Sequence, residues 1–468
     1  MTSPAPRASF RSAPFGLPGH AWAMWGFGAF NAVNWSIALG TPMVLTARLL
    51  GARETMIGGL LALPPLLVVA QVAAAGYADR RGHKRLMLAG WSARSWLLLG
   101  MAPLPLLAGR VAPAVPLAAL TLLLLAFNLL RGFTSGAWLP WLAYVMPEEK
   151  RGRYLGMEHL FINSGAAAAL LLTGVLLGRQ PAPWRYGLMF VIGWLAGQIS
   201  LFCLRAVPAP APAAAAAAPR PAAELRRRLG RIWGRRPFRR VTRTAAAFAV
   251  AVTAAPGFLV VYLRDAQNIP PDILMWLSAL STLGSLAAAL VCSRLADRMG
   301  SRPLIRMAGA LFSGLMLCWA VAAWNRYPVG AGVAAALFFL SGAAVTMLAV
   351  PQARLVLAYS PPRELTLALA LNQTIISLGA AAASFVWGGL LEWGRRAADA
   401  GANLNPFGIF FVASAALCLG AQAVALWMPE PGAQPVARLL NVLFMEWPAR
   451  ALNVIWLPDE KRPKNDPS

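Results

Sequence analysis

Apolar residues in this chain arrive in long unbroken blocks separated by short clusters of charge. Twelve such blocks can be marked, near 20–40, 55–76, 86–108, 115–145, 157–178, 184–205, 244–263, 272–292, 304–324, 329–350, 365–391 and 405–428. Their apolar positions are continuous rather than alternating, which predicts helices and not barrel strands. Each is long enough to cross a bilayer core of about 30 Å. The pattern therefore predicts an all-α integral membrane protein with twelve transmembrane helices.

The polar intervals divide the chain. Residues 1–19 read as an N-terminal tail, 20–206 and 244–428 as two six-helix bundles, 207–243 as a linker and 429–468 as a C-terminal tail. The two bundles echo each other in sequence. "GTPMVL" around Pro42 returns as "AAPGFL" around Pro256, and "NSGAAAALLLTGVLL" from Asn163 returns as "SLGAAAASFVWGGLL" from Ser377. "LAYVMP" from Leu142 returns as "LAYSPP" from Leu357, and "GYADRRGHKR" from Gly76 returns as "RLADRMGSRP" from Arg294. These echoes keep their order and nearly their offset, so a six-helix unit is used twice, an arrangement that suits a substrate held between the halves.

Composition agrees, with 58% hydrophobic residues, only 13% charged and a mean hydropathy of +0.58. The net charge of +25 would suggest nucleic acid in a soluble protein. Here most of the 42 Lys and Arg fall in the alternate loops that share a side with both termini. That bias puts the termini in the cytoplasm, as in a multi-pass protein of the bacterial inner-membrane type, and no nucleic-acid partner is expected. The first span is too long for a cleavable signal and lacks a clear cleavage site. The four cysteines are isolated and show neither a disulfide framework nor metal spacing.

The linker opens on "PAPAPAAAAAAPRPAA" (Pro208 to Ala223), which is expected to be extended and flexible. It continues as "ELRRRLGRIWGRRPFRR" (Glu224 to Arg240), either an amphipathic helix on the anionic cytoplasmic leaflet or a solvated positive loop. The tail from Val436 to Pro458 is too interrupted for a thirteenth span and suits helices lying on the membrane. Trp22, Trp25, Trp184 and Trp393 lie near span ends and read as interfacial anchors.

The repeated charged phrase resembles the signature that the major facilitator superfamily carries between its second and third helices, Gly-x-Leu-Ala-Asp-Arg-x-Gly-Arg-Lys. In register are Ala78, Asp79, Arg80, Gly82 and Lys84, with departures at Ala75, Tyr77 and His83. The second copy keeps Leu295, Ala296, Asp297, Arg298, Gly300 and Arg302, with Ser293 replacing the first glycine. "RGFTSGAW" (Arg131 to Trp138) is similar to the family's fourth-helix pattern, with Gly136 one place late. The fifth helix lacks the Gly-Pro pair of proton-driven drug antiporters. The resemblance implies a secondary transporter working by alternating access, with Asp79, Arg80, Gly82, Lys84, Asp297, Arg298, Gly300 and Arg302 as a cytoplasmic latch. A turn that only fixes topology is the other reading of that phrase.

The family's cavity is lined chiefly by its helices 1, 4, 7 and 10, which brings particular residues forward. Asn31, Asn34 and Trp35 share one face of the first span, and Asn128, Arg131, Ser135 and Trp138 one face of the fourth. Helix 7 offers Thr253, and helix 10 offers Ser341 and Thr346. Arg131 falls near the middle of its span, where a lone charge costs at least about 2.5–3.5 kcal/mol, so a partner is required. An anionic group on a small organic solute or polar metabolite is one candidate, and a structural pairing is the other. Arg94 is similar, though nearer the cytoplasmic end and more able to snorkel. No carboxylate stands at a midplane, which leaves Glu158 with His159 as the candidate proton-coupling pair, unless both only cap the fifth helix. Gly165, Gly174, Gly379 and Gly388 are expected to let helices approach closely.

Other functions find little support. Three histidines without metal spacing, no nucleophile with its base, and no GxxxxGK[ST] loop argue against an enzyme or an ATP-driven pump. No cofactor or metal is expected, and a monomer is. Proton-coupled efflux of drugs or other amphipathic compounds, and a non-transporting receptor or scaffold, are the alternatives.

Overall fold

A computed structural model of the chain describes residues 17–71, 82–209, 222–325, 328–361, 364–428, 430 and 433–440. Among these residues the regular structure is helical throughout. The N-terminal half comprises α1 (Ala21–Leu39), α2 (Thr41–Leu49), α3 (Glu54–Leu67), α4 (His83–Met101), α5 (Ala114–Ser135), α6 (Trp138–Val145), α7 (Glu148–Leu177) and α8 (Pro183–Arg205). The linker holds α9 (Ala222–Gly234). The C-terminal half comprises α10 (Arg236–Val252), α11 (Ala255–Asp265), α12 (Pro271–Met299), α13 (Ser301–Asn325), α14 (Ala331–Tyr359), α15 (Leu365–Asp399) and α16 (Pro406–Ala425), and a short α17 (Val436–Leu440) follows.

Nine helical stretches among the described residues are long and apolar enough to cross a membrane. They correspond to the predicted spans from the fourth onwards, α10 and α11 counting as one stretch from Arg236 to Asp265. The first three predicted spans fall short for local reasons. The first, α1, is long enough but carries Asn31 and Asn34, the second runs into residues outside the described set, and α4 carries His83, Lys84, Arg85 and Arg94.

The duplicated sequence produces duplicated breaks. Gly40 ends α1, and Pro42 in the first turn of α2 has no N–H to continue the ladder. The same break recurs between α10 and α11, where Thr253 ends one helix and Pro256 opens the next. The two copies of the charged phrase also match, with Gly82 at φ 87° and Gly300 at φ 88°, a region open to glycine and strained for other residues. The seventh helix begins at Arg236, earlier than the apolar pattern predicted, because the arginines from Arg236 to Arg243 lie on its first two turns.

Where the halves meet, side chains are small. A Cβ at Gly58 would lie 2.6 Å from the Ser384 carbonyl, and one at Gly388 2.7 Å from that of Glu54. Thus α3 and α15 cross backbone to backbone. On α7, a Cβ at Gly174 would lie 2.6 Å from the Trp276 ring of α12. Gly165 plays the same part within the N-terminal half, 2.3 Å from the Ala29 carbonyl.

Candidate substrate site and gates

Polar groups in the N-terminal half gather around Asn31. Its Oδ1 accepts from Trp91 Nε1 at 2.9 Å and from the Arg94 guanidinium. Arg94 is 2% exposed, so it does not snorkel. Its guanidinium stacks 4.7 Å from the Trp91 ring centroid and 5.0 Å from that of Phe127, which explains how α4 keeps a charge inside the bundle. Its Nε has no partner. Arg131 on α5 is near enough to act on this charge, and its side chain makes no hydrogen bond or ion pair with another described residue. No described carboxylate pairs with either arginine. Two cations within electrostatic range of each other, one of them walled by Trp91 and Phe127, form a site suited to an anion.

The remaining predicted site residues separate. Asn34 is buried and donates from Nδ2 to the Gly193 carbonyl at 2.9 Å, fastening α1 to α8. Asn128 donates to Leu124 and Ser135 to Gly132, both within their own helix. Trp35 is half-buried with no hydrogen bond to a described residue. Trp138 turns to a different cluster. It lies near the Glu158 carboxylate, which accepts from Tyr154 Oη at 3.2 Å. Glu158 is 7% exposed, whereas His159 is exposed, so the two do not form a pair. Adjacent helix positions point in different directions, which is the reason. Trp25 is fully buried between Tyr154 and Phe161, and so is a core residue rather than an interfacial anchor. Trp22, Trp184 and Trp393 are exposed.

Eight polar atoms among the described residues of the C-terminal half are buried without a partner, and Ser341 Oγ, Gln352 Nε2 and Asn372 Oδ1 are three of them. Gln352 and Asn372 were missed in the sequence because uncharged amides on long apolar helices give no signal of their own.

At the face carrying the chain ends, Asp79 and Arg80 lie outside the described residues. Asp297 and Arg298 fall in the last turn of α12, their side chains likewise undescribed. Lys84 donates from Nζ to the carbonyls of Arg205 and Val207, both at 2.6 Å, tying α4 to the end of α8. Burial there pushes its ammonium below the ordinary lysine value. In the second copy the clasp is acidic. Glu430 accepts from the Ser301 N–H at 2.8 Å and the Arg302 N–H at 2.7 Å, capping α13.

The opposite, distal face is closed by charges from both halves. Arg48 pairs with Glu54 and with Asp265. Arg395 lies 2.8 Å from Glu54 and 3.2 Å from Asp265, and Arg53 lies 3.7 Å from Glu392. Thr41 and Ser278 hydroxyls meet at 2.7 Å across the same seam. A cavity of about 640 Å³ opens above these groups.

The sequence profile of the Major Facilitator Superfamily matches residues 244–441. No curated protein matches the chain in sequence. Among solved structures, the nucleoside transporter NupG superposes with a TM-score of 0.67 at 13% identity, covering 88% of this chain and 99% of its own. The xylose transporter XylE from E. coli, in a partially occluded inward-open conformation, gives 0.65 at 12% identity, covering 89% and 100%. A bacterial homologue of the iron transporter ferroportin, in an inward-facing state, gives 0.61 at 15%, covering 88% and 99%. At such identities the likeness speaks for the fold. In sequence the C-terminal half thus matches the Major Facilitator Superfamily, and across both halves the chain shares the fold of small-molecule transporters such as NupG and XylE.

Proposed function

We propose that this chain carries a small organic anion across the membrane by alternating access, with Arg131 as the recognition group and Arg94 beside it. The observation that carries this reading is the pair of guanidiniums within the N-terminal bundle, with no described carboxylate paired to either. Such charges are costly in a membrane protein unless a counter-charge arrives, and a carboxylate or phosphate solute supplies it. The buried amides Gln352 and Asn372 supply uncharged contacts for the rest of the solute from the other half.

In this reading residues 20–206 and 244–428 are the rocking halves, 207–243 joins them, and the chain ends face the cytoplasm. The distal ion pairs hold the outer side shut, and Asp79 with its neighbours latches the inner side in the opposite state. Coupling to protons falls to Glu158 alone, whose carboxylate accepts from the neutral Tyr154 hydroxyl among the described residues.

The test is a thermal-shift screen of small organic anions, neutral polar metabolites and organic cations on the purified full chain and on Arg131→Gln. The expected result is stabilisation by one anion class, lost in Arg131→Gln and partly kept in Arg131→Lys. Stabilisation by cations or neutral compounds alone, or the same anion response in both proteins, overturns the proposal.

A further inference from the structure

The linker helix has a use the transport reading does not absorb. One side of α9 is consumed by the protein itself: Ile232 is fully buried, and Arg228 Nε donates to Glu364 Oε1 at 2.9 Å at the start of α15. Arg231 approaches the same carboxylate at 3.7 Å. This docking fixes which side faces away. The side chains of Arg226, Arg227, Arg235 and Arg236 are exposed and make no hydrogen bond or ion pair with another described residue. Glu224 is the one acid between Ala222 and Arg243.

Position decides what such a surface meets. From Arg236 the chain enters a stretch long and apolar enough to cross the membrane. The four exposed arginines therefore sit at that membrane's edge, where phospholipid headgroups lie. Leu225, 38% exposed on the same helix, adds an apolar contact suited to the acyl boundary. The sequence left a helix lying wholly on lipid as an option; the structure instead gives the apolar side to protein and the cationic side to the surroundings.

We infer that the exposed arginines of α9 and the start of α10 form a binding surface for anionic phospholipid headgroups at the face carrying the chain ends. Docked through Arg228 and Ile232, the helix is held in place, so lipid binding requires no folding step. Charge is the recognition element, and lysine at these positions serves as well as arginine.

The experiment uses the full chain in nanodiscs assembled from mixed phosphatidylglycerol and phosphatidylcholine, with lipid enrichment around the protein read by mass spectrometry after delipidation. Phosphatidylglycerol is expected to be retained over phosphatidylcholine, and added salt lowers that preference. The variant Arg226→Gln/Arg227→Gln/Arg235→Gln/Arg236→Gln is expected to lose the preference by at least about tenfold, since each basic residue near an anionic surface contributes measurably. The matching four-lysine variant keeps it. Equal retention of both lipids by the native protein overturns the inference, as does a preference unchanged in the glutamine variant. Displacement by glycerol phosphate as effective as by the lipid would assign the patch to a free anion instead. Retention of a short RNA in phosphatidylcholine discs would assign it to nucleic acid. Should the glutamine variant fail to fold, the lysine variant and the salt series still decide.

Discussion

The distal charge network makes a quantitative prediction for Glu54→Gln. Glu54 is 2% exposed and is held by Arg48 from its own half, at 2.6 Å, and by Arg395 from the other, at 2.8 Å. Glutamine keeps the shape and one acceptor but turns charge-assisted bonds into ordinary ones. A bond to a charged partner contributes about 1.5–3 kcal/mol and a neutral one about 0.5–1.5 kcal/mol. Arg48 retains Asp265, so the loss falls on the contact that crosses the seam. Because Arg395 is 39% exposed, solvent screens part of the effect. A cost of about 1–2 kcal/mol to the distal-closed state follows, which multiplies the distal-open fraction by roughly 5–30. Ser278, half-buried against Thr41 at this seam, is the reporter. With Cys203 and Cys318 changed to serine, Ser278→Cys is labelled with a membrane-impermeant maleimide. Its rate should rise by that factor when Glu54→Gln is added. An unchanged rate would refute the claim that these pairs hold the halves together.

Other outcomes follow from the same geometry. Gly388→Leu places a side chain against the backbones of Glu54 and Gly58, at 2.7 and 2.9 Å, so it should also raise Ser278→Cys labelling, and more than Glu54→Gln does. Glu430→Gln weakens the cap on α13 and should cost about 1 kcal/mol in denaturant titration, without altering labelling at Ser278→Cys. Arg131→Gln should weaken binding of the identified anion by at least about tenfold, the effect of losing one charge-assisted contact, read as a titrated thermal shift.

What could be read from the sequence was whatever depends on local order. The repeated segments around Pro42 and Pro256 and the glycines of the repeated phrase are each written within a few residues, and in the fold they become paired helix breaks, which the span pattern did not predict, and paired turns at Gly82 and Gly300. Polar groups were harder, because a helix position says which side chains share a face but not what that face meets. Asn34 and Asn128 lie on the predicted stripes yet are used by the Gly193 and Leu124 carbonyls. Arg94 was read as better able than Arg131 to reach water, since nothing in α4 alone reveals that Phe127 on α5 would cover it. The distal network joins residues on either side of the linker, as in Arg48 with Asp265, and no local pattern announces it.

The most direct test of alternating access is exchange of the identified anion in sealed proteoliposomes without ATP, with and without a disulfide across the seam. Thr41→Cys and Ser278→Cys replace hydroxyls 2.7 Å apart, so oxidation should join the halves on the distal side. The account predicts that labelled anion exchanges for unlabelled anion in the reduced protein, stops on oxidation and resumes on reduction. Exchange that continues with the disulfide formed, or anion binding with no exchange in the reduced protein, would contradict it.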